Sequence, residues 1–219
     1  MPNWCMNELQ VEAPDAKSLE QFILKMNSAC TEEDEVLSFQ SILPMPEILE
    51  NTTSPHIDDE KIRVKIFEAL GKHMSFKDFE DKYKDDSNFS SIISDIEKFN
   101  HNILAHEETC FYNWYDWQYA NWGVKWGASE SVLDHYEETK CSYFYDTAWG
   151  TAVGWLGFLA KTYPTFKFHN KCADPSMNFH TELIFEDGEL LEEINIEFSQ
   201  AIEQGEWGGV EAWDQFTSD

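Results

Sequence analysis

Carboxylates are the side chains of this sequence that most invite a chemical reading. Of 219 residues, 42 are Asp or Glu and 15 are Lys or Arg, a formal net charge of -27. Their placement is uneven. No Lys or Arg follows Lys171, whereas Glu186, Asp187, Glu189, Glu192, Glu193, Glu197, Glu203 and Glu206 all do. A second stretch without base lies between Lys25 and Lys61 and holds Glu32, Glu33, Asp34 and Glu35, while residues 61–84 are Lys-rich. Duplex DNA carries one phosphate charge per about 1.7 Å of its axis. Carboxylates spaced over a folded surface offer the same sign of charge to a Lys/Arg groove. The chemistry expected of this array is ionic capture of a basic, nucleic-acid-binding protein surface, weakened by salt. The same field repels nucleic acid and anionic membranes, so neither is expected as a direct partner. Trp207 and Trp213, set among the late acids, are candidate anchors, because Trp is favoured where interfaces concentrate their energy.

Other chemistries find weaker footing. A carboxylate pair in a pocket performs acid–base work, and Asp146 would meet Asp174 if their strands adjoin. There is no Gly-rich phosphate loop, no G-x-S-x-G and no H-E-x-x-H. No catalytic residue is assigned, and an enzyme stands as a third reading. His101, His106 and Cys110 are spaced by five and four, which does not put all three on one helix face. His169 and Cys172 are an isolated pair. Structural zinc uses tighter spacings, so no metal and no cofactor is expected. Trp114, Trp117, Trp122, Trp126, Trp149 and Trp155 would stack bases only beside a cationic groove. Lys125 and Lys140 are the bases close to them in sequence, so core packing is preferred. The alternative function is small-molecule binding in a pocket between sheet and helix, lined by Trp122, Lys125, Trp126 and Trp149.

Composition sets the frame for these residues. Apolar content is 42% and aromatic content 15%, with nine Trp and sixteen Phe. An acidic disordered chain lacks such aromatics, so a folded domain with an insertion is expected. The first residues have no basic n-region, and no run of eighteen apolar residues occurs, which argues against a signal peptide and a membrane span. Five scattered cysteines suit a reducing cytoplasm.

The elements that must position the acids follow from periodicity. Trp4–Ala13 alternates as a strand. Asp15 caps a helix whose face is Leu19, Phe22, Ile23 and Met26. Leu37–Leu43 reads as a second strand. Residues 55–112 turn helical and Lys-rich, giving two or three inserted helices that include SFKDFED and DDSNFSSIISDIE, with Ser90 and Ser91 as caps of the latter. The aromatic stretch after Thr109 reads as a strand with a bulge or turn. Cys141–Thr147 is a strand, AWGTAVGWLGFLAKTYP a helix and Phe166–Phe168 a short strand. Phe179–Phe185 and Leu190–Ile194 form a hairpin on Asp187-Gly188. A short acidic helix occupies Phe198–Gln204. The expected fold is α+β: a ferredoxin-like antiparallel sheet with helices on one face. Its core spans 1–54 and 113–198, its helical insertion 55–112 and its acidic tail 199–219.

Five ordered segments support a family reading. MPNWCMN, SFQSILPMPEIL, NWGVKWGAS, YDTAWGTAVGWLGFLAKTYPTFKF and the DPSMNF turn resemble the YubB-type ferredoxin-like domain of phage and plasmid proteins. The chain departs from that pattern at Asp174-Pro175-Ser176 and at His180, where a Glu-Pro-Gly type turn and a small residue are expected. The resemblance implies a ferredoxin-like sheet and a mobile-element origin, and no activity. Joined to the acidic array, it leads to an expected role as an anti-defence inhibitor in the host cytoplasm. Its target would be the basic surface of a complex such as a CRISPR or restriction assembly. A homo-oligomer is compatible with the sequence.

Overall fold

A computed structural model describes residues 3–32 and 35–208. The chain divides into two compact units, one of residues 45–117 and the other of the remainder.

The larger unit is built on six strands: β1 (Trp4–Glu12), β2 (Ser129–Tyr136), β3 (Lys140–Ala148), β4 (Lys167–Asp174), β5 (Phe179–Glu186) and β6 (Glu189–Ile196). They lie in the order β2-β3-β1-β4-β5-β6, and each neighbouring pair is antiparallel. With α1 (Ala16–Asn27) and α6 (Val153–Thr162), the first four strands give the β-α-β-β-α-β sequence and the strand order of a ferredoxin-like sheet. The β5–β6 hairpin extends that sheet beyond β4. The α+β expectation therefore holds.

Alternation decides which side of each strand is covered. Cys5, Asn7, Leu9 and Val11 of β1 are buried, whereas Trp4, Gln10 and Glu12 are exposed. The covered side meets the apolar faces of α1 (Leu19, Phe22, Met26) and α6 (Trp155, Leu156, Leu159). Phe22 packs against Tyr143, Phe166 and Phe168, and Phe39 stacks on Trp155 with ring centroids 4.2 Å apart. Each such side chain contributes about 1.5–3 kcal/mol on burial. Asp15 caps α1, its carboxylate accepting the Ser18 N–H at 2.9 Å. A Cβ on Gly154 would lie 2.4 Å from the Asn121 carbonyl, so only glycine lets α6 approach that turn. Asp187 and Gly188 both have positive φ, 52° and 79°, which is the hairpin geometry that matches strand twist.

The core face also holds polar side chains, joined in one chain. Tyr145 donates to Asn170 Oδ1 at 2.8 Å. Asn170 Nδ2 reaches Asn7 Oδ1 at 3.4 Å. Asn7 Nδ2 donates to Thr147 Oγ1 at 2.8 Å, and Thr147 donates to the Gly150 carbonyl at 2.7 Å.

Four expectations are corrected. Leu37–Leu43 is not a strand. Its alternate residues Leu37, Phe39 and Ser41 are buried, but Phe39–Ser41 closes as a 3-10 turn. The aromatic stretch after Thr109 forms a helix, α5 (Trp114–Asn121), and the strand starts only at Ser129. β4 runs well past the short Phe166–Phe168 segment. Helices do not keep to one face: α7 (Phe198–Glu203) places Phe198 and Ile202 on Ala173, with Met6 and Trp207 beside them. Register pairs Ala173 with Met6 and His180, which is the side opposite Leu9 and Phe168. Both edge strands are irregular. β2 breaks register twice and β6 once, where Phe185 pairs with Leu190 but Ile184 with Glu192.

The smaller unit contains α2 (Asp59–Leu70), α3 (Phe76–Tyr83) and α4 (Ser90–Thr109). Ile62, Ile66, Phe79, Ile92, Ile93 and Ile96 form its core. Asp58 and Ser75 cap α2 and α3. The residue before α4 is Phe89, without a side-chain cap; Ser90 and Ser91 fall inside the helix instead. Among the described residues, no helix is long and apolar enough to cross a membrane.

Candidate functional site on the open face of the sheet

The antiparallel register lines up side chains in rows across the face that α1 and α6 leave uncovered. One row is Lys140, Glu12 and Lys167; the next is Ser142, Gln10, His169 and Ile184; the third is Phe144, Glu8, Lys171 and Glu182. α7 and the 3-10 turn Glu206–Gly208 form a wall at one end of these rows.

Glu182 is the centre of a hydrogen-bonded chain. Trp207 Nε1–H donates to His180 Nδ1 at 3.0 Å. Indole nitrogen is only a donor, so His180 carries its proton on Nε2 and donates to Glu182 Oε1, also at 3.0 Å. The other oxygen, Oε2, accepts from His169 Nε2 at 2.6 Å. Glu182 thus receives two imidazole donors. Burial alone would raise its pKa, but the hydrogen bonds from His180 and His169 outweigh it, and the carboxyl is held below its ordinary 4.5. His180 is fully buried, while the His169 side chain keeps 29% exposure. His169 Nδ1 has no hydrogen-bond partner among the described residues. The third row closes with Lys171, which is paired with Glu206 on the wall.

Two cavities open on this face. One, of about 510 Å³, is lined by Glu8, Gln10, Lys140, Ser142, Lys167 and His169, among others. Its lysines are engaged: Lys140 with Glu12 at 3.2 Å and Lys167 with Glu186 at 2.7 Å. The other, of about 560 Å³, lies against Trp207 and includes Phe144, Glu130 and Asp146. Burial, then repulsion from Glu130, pushes the Asp146 carboxyl up.

The late acids fall into two groups. Asp187, Glu189, Glu192, Glu193 and Glu203 are exposed, and no salt bridge reaches them among the described residues. Glu186 and Glu206 are ion-paired, and Glu197 forms the capping box of α7 with Gln200. Trp207 is not a free anchor: it is half-buried, packed on the sheet and bonded to His180. Trp213 lies outside the described residues.

The four residues expected to line a Trp pocket have different surroundings. Trp122 is buried, its Nε1 donating to the Leu43 carbonyl at 3.0 Å. Trp126 lies 5.9 Å from Trp4, with Lys125 over its ring. Trp149 is 59% exposed. The two cavities above are lined by other residues. Asp146 and Asp174 also stay apart, because β1 runs between their strands and they point to opposite faces. In the smaller unit, His101 bonds the Ile48 carbonyl and His106 stacks on Tyr112. Cys110 ends α4. Among the described residues, no group of three or more His, Cys, Asp or Glu is arranged to hold a metal ion.

Sequence reasoning missed the Glu182 chain. The available signal was the spacing by two of His169 and Lys171, and of His180 and Glu182, on strands that a hairpin-like turn makes neighbours.

No family model matches the chain. No curated protein matches it at a significant level. Among solved structures it is similar to the api92 protein from Yersinia pseudotuberculosis, of the family model DUF1281, at 8% identity and a TM-score of 0.39, covering 90% of this chain and 98% of that one. A likeness at that score carries no argument about fold or function.

Proposed function

We propose that this chain is an acidic nucleic-acid mimic that occupies the basic groove of a nucleic-acid-binding protein. One observation carries the reading. The edge strand β6 and the turn before it present Asp187, Glu189, Glu192 and Glu193 to solvent, with no salt bridge to neutralise them among the described residues. An edge strand is free to face a partner along its whole length, and unpaired carboxylates on it exchange counterions for Lys and Arg as a phosphate backbone does. Glu203 on α7 is exposed as well. Glu186, Glu197 and Glu206 serve the fold and drop out of the array. Such a protein fits a phage or plasmid inhibitor of a host defence nuclease or restriction complex acting in the host cytoplasm, and binds neither nucleic acid nor membrane itself.

The test is capture from host lysate at low and moderate salt, with wild type beside the triple variant Glu189→Lys, Glu192→Lys and Glu193→Lys. Wild type retains a nucleic-acid-binding protein at low salt, and the variant releases it. Retention of no such protein, or equal retention by the variant, overturns the reading.

A further inference from the structure

The cavity of about 510 Å³ faces His169, and nothing in the acidic strip accounts for it. Its charge is one-sided: Glu8, Glu12, Asp134 and Glu186 stand against Lys140 and Lys167. With Nε2 committed to Glu182, His169 offers Nδ1 as an acceptor. Glu8 accepts one bond, from Gln10 at 2.8 Å; a carboxylate has about four lone-pair sites, so most of its capacity remains. Asp134 also lines the cavity and is exposed. Lys140 and Lys167 each give a bond to a carboxylate, Glu12 and Glu186, so their charges are already balanced. An anion would meet the remaining carboxylates, Glu8 and Asp134, as like charges. A ligand that brings its own N–H donors and positive charge meets unfilled acceptors. The cavity is of a size that holds small molecules.

We infer that this cavity binds a small organic cation, a primary ammonium or guanidinium compound, through His169 Nδ1 and the Glu8 carboxylate. Glu182 positions the ring by fixing its tautomer, and the His180–Trp207 contact holds Glu182 in turn. The site requires neutral His169, because a proton on Nδ1 converts the acceptor to a donor and adds a like charge. The charged and titratable groups around His169 are Glu182 and Glu186 from β5, Glu8 and Glu12 from β1, and Lys140 from β3. Asp134 and His135 come from β2, and Lys167 and Lys171 from its own strand. The inference does not depend on the mimic reading.

Calorimetric titration of the full chain with putrescine and with agmatine tests it, at about 0.15 M salt to suppress diffuse attraction. Saturable one-to-one binding is expected with at least one of the two. Losing one charge-assisted hydrogen bond weakens binding about tenfold or more, which is expected for Glu8→Gln and, separately, for His169→Phe. The double variant Glu189→Gln, Glu193→Gln keeps wild-type affinity. Absence of saturable binding overturns the proposal. So does unchanged affinity in Glu8→Gln, or an equal loss in the strip variant, which marks diffuse attraction to the acidic surface. Circular dichroism of each variant confirms that the fold persists.

Discussion

On one side of the sheet, Cys5, Leu9, Tyr143, Phe168 and Leu183 are essentially without exposure beneath α1 and α6. On the other side, the same strands hold Glu8, Gln10, Lys167, His169 and Glu182 around an open cavity. Both faces contain polar groups, but of different kinds. On the covered face most are neutral, and Tyr145, Asn170, Asn7 and Thr147 bond one another in sequence; the one carboxyl named there, Asp174 at its margin, is met by the Ser176 and Met177 amides. The open face keeps its charges because water and opposite charges are near. Buried area is therefore concentrated on one face, and the ion pairs of Lys140, Lys167 and Lys171 lie on the other.

Single variants at four places probe that division, from the largest expected effect down. Trp155→Ala removes a fully buried indole stacked on Phe39 and costs about 4 kcal/mol in urea unfolding. A loss no greater than that of an open-face substitution would break the division. Asn170→Ala leaves Tyr145 and Asn7 without their buried partner. It costs about 2 kcal/mol, and a neutral result would show that the polar chain is reached by water.

Glu182→Gln acts on the open face and costs about 1 kcal/mol at neutral pH. Its pH dependence has a definite sign. The Glu182 carboxyl is held below 4.5 in the fold, so its contribution is complete above that value. It is lost as pH falls through the depressed folded value. The variant should flatten the acid limb of a stability–pH curve, and an unchanged limb would place the charge elsewhere. Last, Glu189→Gln, Glu192→Gln and Glu193→Gln, made singly, should each shift stability by no more than about 0.5 kcal/mol. A large loss would mean that the strip supports the fold.

Much of the sheet was legible because its residues report their own face. Trp4–Glu12, Cys141–Thr147 and the Asp187-Gly188 hairpin alternate or turn in ways that need no distant partner. The Leu37–Leu43 segment shows the limit of that signal. Its buried residues alternate as in a strand, yet the Phe39 carbonyl accepts from Leu43 N–H and Trp155 Nε1 rather than from a neighbouring strand. Period-two burial records which residues face inward, not which backbone bonds are made. The acidic strip was visible in composition, but composition could not separate exposed Glu192 from Glu186, which is tied to Lys167. The Glu182 chain was hidden for a different reason. It joins β4, β5 and a turn near Trp207, and only the folded register makes those three segments meet.

The broken registers at both edges of the sheet bear on how this protein behaves in a crowd of its own copies. A strand approaching β2 would lose its ladder at the steps between Ser129 and Val132 and between Leu133 and His135. One approaching β6 would meet an unmatched residue at Leu191 and, beyond it, Glu192 and Glu193. Kinked, like-charged margins are how natural sheets resist end-to-end polymerisation. Leu190 and Leu191 are exposed on this edge strand, and the break beside them withholds the regular ladder that a second copy's strand would need.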